Sequence, residues 1–373
     1  MSASKNLFEP YSLGPLSLAN RIVMPPLTRA RSSQPGNVPN ALMAEYYAQR
    51  SDAGLIIAEA TDISADAKGY SQTPGVHSRA QIEGWRLVTE AVHARGGRIF
   101  LQIWHTGRMS HPDLRGGAQT VAPSAIPFQG QIWMTNANGV GRMVDCPTPR
   151  ALTLAEIGQI VADFRQAALN AIEAGFDGVE IHAANAYLID QFLRTTSNRR
   201  DDAYGGSRAN RQRFLLEVVD AVAGAIGPQR VGVRLSPHTT ARGMDCPDIL
   251  PTTLEAAAAL HARGIVYLHL TEADWDDAPT ITESFRRDLR GAFPGTIVAA
   301  GKYDATKAQW ALDHGYADLI GFGRLFIANP DLPRRLREQA DFNPLDGATL
   351  FGGAAPGYTD YPHASAAAPG RNA

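Results

Sequence analysis

The sequence carries almost no excess of charge of either sign. Its 373 residues include 35 Lys and Arg against 37 Asp and Glu, so no net field attracts nucleic acid or an anionic membrane. No run of about 18 apolar residues occurs, and the first residues lack the apolar core of a secretory signal. These absences predict a cytoplasmic protein that binds neither nucleic acid nor a membrane.

Cysteine is nearly absent as well. Cys146 and Cys246 stand alone in proline-containing segments, which gives neither a disulfide framework nor the thiolate spacing of a metal site. A four-iron, four-sulfur cluster needs four thiolates, so the sequence excludes it. We expect no metal site.

What the sequence does contain is a recurring unit: a helical pattern, a glycine that ends it, and a short apolar run. In one copy, Thr153 and Glu156 form a capping box at the start of an amphipathic helix over 153–174, Gly175 ends it, and a strand follows at 178–182. The unit predicts alternating helices and strands.

The same pattern recurs along the chain. Thr252 and Glu255 predict a second capping box, Gly264 ends that helix, and a strand follows. The full set of candidate strands is 21–24, 55–59, 98–102, 178–182, 231–235, 266–270, 296–300 and 319–322. Eight short apolar strands that alternate with amphipathic helices favour a closed parallel barrel.

The predicted fold class is therefore α/β, a single (β/α)8 TIM barrel over 1–373; an open doubly wound sheet is the alternative. A connection of about 104–150 after strand three is too long for an ordinary loop and predicts a lid or binding loop. The Gly, Ala and Pro-rich stretch of about 353–373 predicts a surface tail.

The residues that follow the strands include no carboxylate pair, Ser-His-Asp set or metal cluster. Gly301 and Gly323 follow strands seven and eight, where backbone N–H groups can face an anion, and Arg324 adds a guanidinium at the usual barrel phosphate site. The alternative is that both glycines merely permit tight turns. A mononucleotide and a sugar phosphate both fit this pattern.

Long motifs carry a family resemblance. The segments NRIVMPPLTR at 20–29, QIWHTGR at 102–108 and NRRDDAYGGS at 198–207 resemble signatures of the Old Yellow Enzyme family. The match continues through FGR at 322–324, ANP at 328–330 and GYTDYP at 357–362, and it is similar in detail to the bacterial N-ethylmaleimide and nitroester reductase branch. The resemblance implies non-covalent FMN and NADPH or NADH as hydride donor.

The resemblance also implies the flavin contacts. Thr28 is expected at the O4/N5 edge, the backbone of Pro26 and Ala60 along the ring, and Gln102 and Arg234 at the pyrimidine end. An arginine near N1/O2 stabilises negative charge on the reduced flavin. Taken alone, Thr28 could cap a turn, and Gln102 could be a satisfied polar residue at a strand end.

The substrate-facing group implied by the family is His182, Asn185 and Tyr187. The first two are expected to donate hydrogen bonds to a carbonyl or nitro oxygen, and Tyr187 is expected to protonate the α carbon. The chain has His-Asn where the nearest branch has His-His. Considered singly, the three residues could be a core histidine, a turn former and a wall residue.

The family position of four aromatic residues implies that they shape the pocket: Tyr70, Trp104, Trp275 and Phe351, the last standing where a tyrosine is expected. His105, Arg108 and His269 are expected to be structural. The implied activity is an FMN-dependent ene-reductase, a monomer or homodimer that acts on electron-poor alkenes. The alternative, a phosphate-binding barrel isomerase or aldolase without flavin, would need Lys302 or Glu59 at its centre.

Overall fold

The computed structural model describes residues 6–135, 140–273 and 279–364. Its strands are β1 (Tyr11–Leu13), β2 (Leu16–Leu18), β3 (Ile22–Met24), β4 (Leu55–Asp62), β5 (Ile99–Trp104), β6 (Val121–Ala122), β7 (Gln131–Thr135), β8 (Gly141–Asp145), β9 (Arg150–Ala151), β10 (Gly178–Ala183), β11 (Val231–Leu235), β12 (Tyr267–Thr271), β13 (Thr296–Ala300) and β14 (Leu319–Gly321). Its α-helices are α1 (Ala41–Ala48), α2 (Arg79–His93), α3 (Leu154–Glu173), α4 (Leu188–Leu193), α5 (Arg208–Ile226), α6 (Ile249–Ala262), α7 (Glu283–Ala292), α8 (Ala305–Asp313), α9 (Gly323–Ala328) and α10 (Leu332–Glu338).

Eight parallel strands close into a barrel in the order β3, β4, β5, β10, β11, β12, β13, β14. All eight predicted strands are present, and the predicted TIM barrel is confirmed. Closure is made by the pairing of Gly321 in β14 with Val23 in β3. Because every barrel strand is covered on its outer face by helices, the strands are buried along almost their whole length.

The amino-terminal end of the barrel is filled by apolar side chains. Val23, Ile57, Phe100 and Tyr267 belong to one buried cluster inside it, and the β1–β2 hairpin adds Leu13 and Leu18 below. This packing leaves the carboxyl ends of the strands as the open face, where enzymes with this fold build their sites.

Helix starts confirm one predicted capping box and correct the other. Thr153 and Glu156 cap α3 reciprocally. In α6, however, the helix begins after Asp248, and the Thr252 hydroxyl donates to the Asp248 carbonyl (2.6 Å) from inside the helix. The prediction at Thr252 was wrong because Pro251 lies in the first turn, where a missing N–H costs nothing, so the helix starts earlier.

The long connection after β5 is structured. Its β7 and β8 form an antiparallel hairpin, and β6 pairs with β9. Ile132 and Met134 on β7 are buried in a satellite apolar cluster with Met109 and Met244. The hairpin is therefore packed onto the open end of the barrel.

The first part of the predicted surface tail has a buried anchor. Tyr358 is fully buried and stacks on Tyr46, with ring centroids 3.9 Å apart. Arg29 donates to the carbonyl of Gly357 (2.8 Å) and to that of Leu350 (2.9 Å). This segment thereby holds the chain just after β3. None of the helices described in the structure has the length and apolar character needed to cross a bilayer.

Candidate functional site

A cavity of about 640 Å³ opens at the carboxyl ends of the barrel strands. Its volume lies in the roughly 300–1,000 Å³ range of small-molecule and cofactor sites. Its wall includes residues 25–30, 300–303 and 322–325 at strand ends, with Tyr70, Asn185, Tyr187, Arg234, Thr271 and Phe351. The hairpin adds Gln131, Trp133 and Met143.

Most of the residues predicted for the site share this wall: Pro26, Thr28, Tyr70, Asn185, Tyr187, Arg234, Gly301, Gly323, Arg324 and Phe351. Four others are buried and form no part of it, namely Ala60, Gln102, Trp104 and His182. Trp275 lies outside the described residues. The predicted site is thus one region, since the buried Trp104 and His182 contact the wall residue Tyr187.

Gly301 and Gly323, at the predicted phosphate end, lack a side chain for different reasons. Gly301 has φ +137°, and a Cβ there would lie 2.7 Å from the Ala273 nitrogen, so the turn itself requires glycine. A Cβ on Gly323 would meet only Leu27 and Pro25, at 3.5 and 3.9 Å. The protein alone therefore tolerates a side chain at Gly323, and the glycine there leaves open space beside Arg324 for a bound group.

Behind the predicted pyrimidine end lies a buried polar layer. Glu180 accepts hydrogen bonds from Gln102 Nε2 (2.8 Å), Tyr267 Oη (3.0 Å) and His269 Nδ1 (2.8 Å). Burial alone would raise the pKa of Glu180, but His269, Arg234 and the Tyr267 hydroxyl outweigh it and lower that pKa. Glu180 is therefore a buried carboxylate. The sequence reasoning missed Glu180, although an acidic residue inside an apolar strand was a signal for it.

His182 is a neutral donor. Burial, with the positive charges of Arg234 and His269, lowers the pKa of its imidazole well below the ordinary value. Its Nδ1 accepts from the Ala184 N–H (3.3 Å), so the proton is on Nε2. The ring can donate to an oxygen without carrying charge.

Asn185 is held in a strained conformation. Its φ is +57°, and the next residue, Ala186, has φ +68°. Both backbone N–H groups are fixed, to Ser236 Oγ (2.7 Å) and Asp190 Oδ2 (2.9 Å). Within the described part of the chain, the buried Oδ1 of Asn185 has no hydrogen-bond partner. Strain together with an unsatisfied buried amide oxygen is typical of a functional site.

Tyr187 belongs to an aromatic cluster with Tyr70, Trp104 and His182. Its hydroxyl donates to Tyr70 Oη (3.1 Å), and its ring meets Trp104 edge to face at 4.6 Å and His182 at 4.8 Å. Burial and the neighbouring Tyr187 raise the pKa of Tyr70 well above its ordinary value. Tyr70 is therefore a neutral phenol beside Tyr187 at physiological pH.

Trp104 supports the site from behind. Only 1% of it is exposed, and its indole Nε1 donates to Asp62 Oδ1 (2.7 Å). Trp104 forms no part of the cavity wall, but it stacks on Tyr70 and packs edge to face against Tyr187, two residues of that wall. Burial raises the pKa of Asp62 to about 7, despite the opposing effects of Lys68, Thr73 and Trp104.

The mouth of the cavity is apolar. Phe351 is 39% exposed, and Met143 of the hairpin is exposed as well. Trp133 of the hairpin lies close to the segment of Phe351, since its ring would be 3.7 Å from a Cβ placed on Gly352. The hairpin residues Trp133 and Met143 were not predicted. The sequence contains no clear signal for them, because Gln131–Thr135 holds three consecutive apolar residues and no alternation of apolar and polar residues.

The isomerase or aldolase alternative would use Lys302 or Glu59, and only one of these residues lines the cavity. Glu59 is fully buried and accepts from the backbone N–H groups of Arg29 (3.2 Å) and Ala30 (3.0 Å), so it anchors a loop and does not face the cavity. Lys302 lines the cavity. The described residues contain no group of three or more His, Cys, Asp and Glu that could hold a metal ion.

Comparison with known proteins gives a consistent set of relatives. Residues 6–343 match the model of the NADH:flavin oxidoreductase / NADH oxidase family. The rice (Oryza sativa subsp. japonica) 12-oxophytodienoate reductase 1 is 45% identical over 372 residues, which covers 97% of this chain and 94% of that protein.

Two solved structures are similar throughout. Morphinone reductase in complex with tetrahydroNAD has a TM-score of 0.93 and 50% identity, covering 96% of this chain and 98% of that one. The old yellow enzyme homologue from Zymomonas mobilis has a TM-score of 0.90 and 42% identity, covering 96% and 99%.

Proposed function

Since the chain belongs to the Old Yellow Enzyme family of NADH:flavin oxidoreductases, we propose that it is an ene-reductase whose substrates are α,β-unsaturated carbonyl compounds, nitroalkenes and maleimides. Nitroesters and quinones are further proposed substrates. When bound, FMN supplies the hydride, which it takes from NADPH or NADH and delivers to the β carbon.

The observation that carries the proposal is the conformation of Asn185 beside a neutral His182. The fold holds Asn185 at φ +57° through the backbone N–H groups of Asn185 and Ala186, which donate to Ser236 and Asp190. Such strain persists only where the surrounding structure imposes it. Asn185 is on the cavity wall, and we infer that its amide N–H and the Nε2–H of His182 donate to the oxygen of the substrate.

Each residue of this group has a separate task. Donors at the substrate oxygen stabilise the negative charge that develops as hydride arrives at the β carbon. His182 is suited to this because its imidazole is neutral and still carries an N–H on Nε2 that can donate a hydrogen bond. The Tyr187 hydroxyl, also on the cavity wall, then donates a proton to the α carbon.

The residues present fit FMN. We propose that Gly301, Gly323 and Arg324 hold the phosphate, where the missing side chain of Gly323 leaves room. Thr28 would contact the O4/N5 edge, and the backbone of Pro26 and Ala60 the ring. Arg234 and Gln102 would hold the pyrimidine end, with Arg234 fixed by a hydrogen bond from its Nε to Thr271 Oγ1 (2.7 Å).

The nicotinamide donor would share the open face with the substrate. A relative of this chain, morphinone reductase, was solved with tetrahydroNAD, which supports a nicotinamide donor here. We propose that NADPH and NADH both serve. The hairpin of β7 and β8, which brings Trp133 and Met143 to the mouth of the cavity, would cover the bound molecules as a lid.

The test begins with the absorption spectrum of the purified protein and chromatography of the flavin that denaturation releases. Anaerobic titration with NADPH should bleach the flavin, and 2-cyclohexenone should then restore its colour with formation of cyclohexanone. A protein without flavin, with FAD or with a covalent flavin would contradict the proposal. Bleaching by NADPH without reoxidation by any activated alkene would contradict the ene-reductase assignment alone.

A further inference from the structure

The barrel contains a negative charge directly below its cavity. Glu180 is fully buried inside the barrel, and its strand position faces inward, as do those of Gln102 and His269. A buried carboxylate is costly unless it is hydrogen-bonded and paired with positive charge. Glu180 therefore needs hydrogen-bond donors and a positive charge close by.

The partners are built into the neighbouring strands. On β11 the residue opposite Glu180 is Gly232, and a Cβ there would lie 2.1 Å from the ring of Tyr267. The absence of a side chain at Gly232 admits that ring, and the Tyr267 hydroxyl reaches Glu180 Oε2 (3.0 Å). His269 Nδ1 donates to the same oxygen (2.8 Å), and Gln102 Nε2 donates to Oε1 (2.8 Å).

The counter-charge is Arg234. It stands two residues beyond Gly232 on β11, on the same face, and is 8% exposed where it meets the cavity. The charges of His269 and Arg234 both lower the pKa of Glu180. Burial lowers the pKa of His269, and the neighbouring Glu180 opposes that shift.

We propose that Glu180 is a positioning residue that sets the electrostatics of the flavin site: it turns the amide of Gln102 and offsets the positive charge of Arg234, and thereby lowers the reduction potential of the flavin. This inference rests on the proposed FMN site. An uncompensated Arg234 would favour the added negative charge of the reduced flavin. Glu180 moderates that preference, so that the reduced flavin gives its hydride to an alkene more readily.

The decisive variant is Glu180→Gln, which removes the charge and keeps the size and one acceptor oxygen. The flavin midpoint potential, measured by anaerobic titration against a reference dye, should rise by about 30 mV or more, a tenfold change in the two-electron equilibrium. Reduction by NADPH should become faster and reoxidation by 2-cyclohexenone slower. A merely structural role of Glu180 would not shift these two rates in opposite directions.

Tyr267→Phe is the matched control. It removes one hydrogen bond to the same carboxylate oxygen and leaves the charge in place. Its potential should move by less than half as much as that of Glu180→Gln. An equal shift in both variants would overturn the electrostatic account, as would an unchanged or lowered potential in Glu180→Gln.

Wild-type protein provides a test if Glu180→Gln does not fold. The infrared difference spectrum between oxidised and reduced protein should contain no carboxylic acid band from Glu180, because the carboxylate keeps its charge in both states. A band that appears on reduction and shifts with labelled glutamate would refute a fixed charge. Failure of the proposed function is recognised separately, by a protein that binds no FMN.

Discussion

Asp62 makes the stability of the protein depend on pH in a way that one substitution should remove. Its carboxylate is 2% exposed and accepts from Trp104 Nε1 (2.7 Å) and Thr73 Oγ1 (3.0 Å). In Asp62→Asn the amide oxygen would keep the Trp104 bond, and the amide nitrogen would donate to Thr73. The Thr73 hydroxyl has a second acceptor in the Tyr70 carbonyl (3.2 Å), so the substitution fits.

The size of the effect follows from the pKa. Burial raises the pKa of Asp62 from 3.8 to about 7, and each unit is worth about 1.4 kcal/mol. The pKa of Asp62 is higher in the folded protein than in the unfolded chain, so the protonated carboxyl stabilises the folded state. This contribution to the free energy of unfolding is complete below about pH 4 and is lost as pH rises through 7. The total loss is about 4 kcal/mol, as an order of magnitude.

The assay is urea unfolding of FMN-saturated wild type and Asp62→Asn, followed by tryptophan fluorescence between pH 5 and 9. The unfolding free energy of wild type minus that of Asp62→Asn should fall by about 1.4 kcal/mol per pH unit up to pH 7. Above pH 7 it should stay constant. Thr73→Val is the control, because it keeps the carboxyl group and should keep the pH dependence. A wild-type minus Asp62→Asn difference that stays flat across this range would refute the reasoning.

Three further predictions concern the site itself. In Tyr187→Phe, reoxidation by 2-cyclohexenone should slow by roughly 10²–10⁴-fold while stopped-flow reduction by NADPH is nearly unchanged; parallel losses would mark Tyr187 as a packing residue. In Arg324→Ala, a charge-assisted hydrogen bond of about 1.5–3 kcal/mol is lost, so FMN should dissociate on dilution, and unchanged retention would place the phosphate elsewhere. In Thr28→Ala, flavin reduction by NADPH should slow while reoxidation is unchanged or faster, whereas equal effects would indicate structural damage.

The barrel was predictable from the sequence because each strand is a short apolar run, and every strand after the first follows a glycine. Helix boundaries were less so: the Thr252 capping box looked identical to the one at Thr153, and only the proline in the first turn of α6 decided against it. Local pattern can propose a cap, but two competing starts a few residues apart differ by little energy.

Many residues of the cavity wall were predicted, as were Gln102, Trp104 and His182 in the layer behind it, but the partners that hold these buried residues were not. Family motifs pointed to residues one at a time, such as Trp104, whereas its role depends on Asp62, a residue from another strand. Glu180 and His269 likewise become partners only when β10 and β12 are brought together across the barrel. Contacts of this kind join residues far apart in sequence, and no spacing rule along the chain reports them.

The hydrogen bonds between Arg29 and residues 349–357 have a consequence for synthesis on the ribosome. Strand β3 gains its second neighbour only when β14 exists, and Arg29, next to Thr28, finds its carbonyl acceptors at Thr349, Leu350 and Gly357. A nascent chain that has not yet reached residue 357 has the first segment of the cofactor site without its support. We therefore expect the segment that carries Thr28 to take its final conformation only after residues 349–357 have been synthesised.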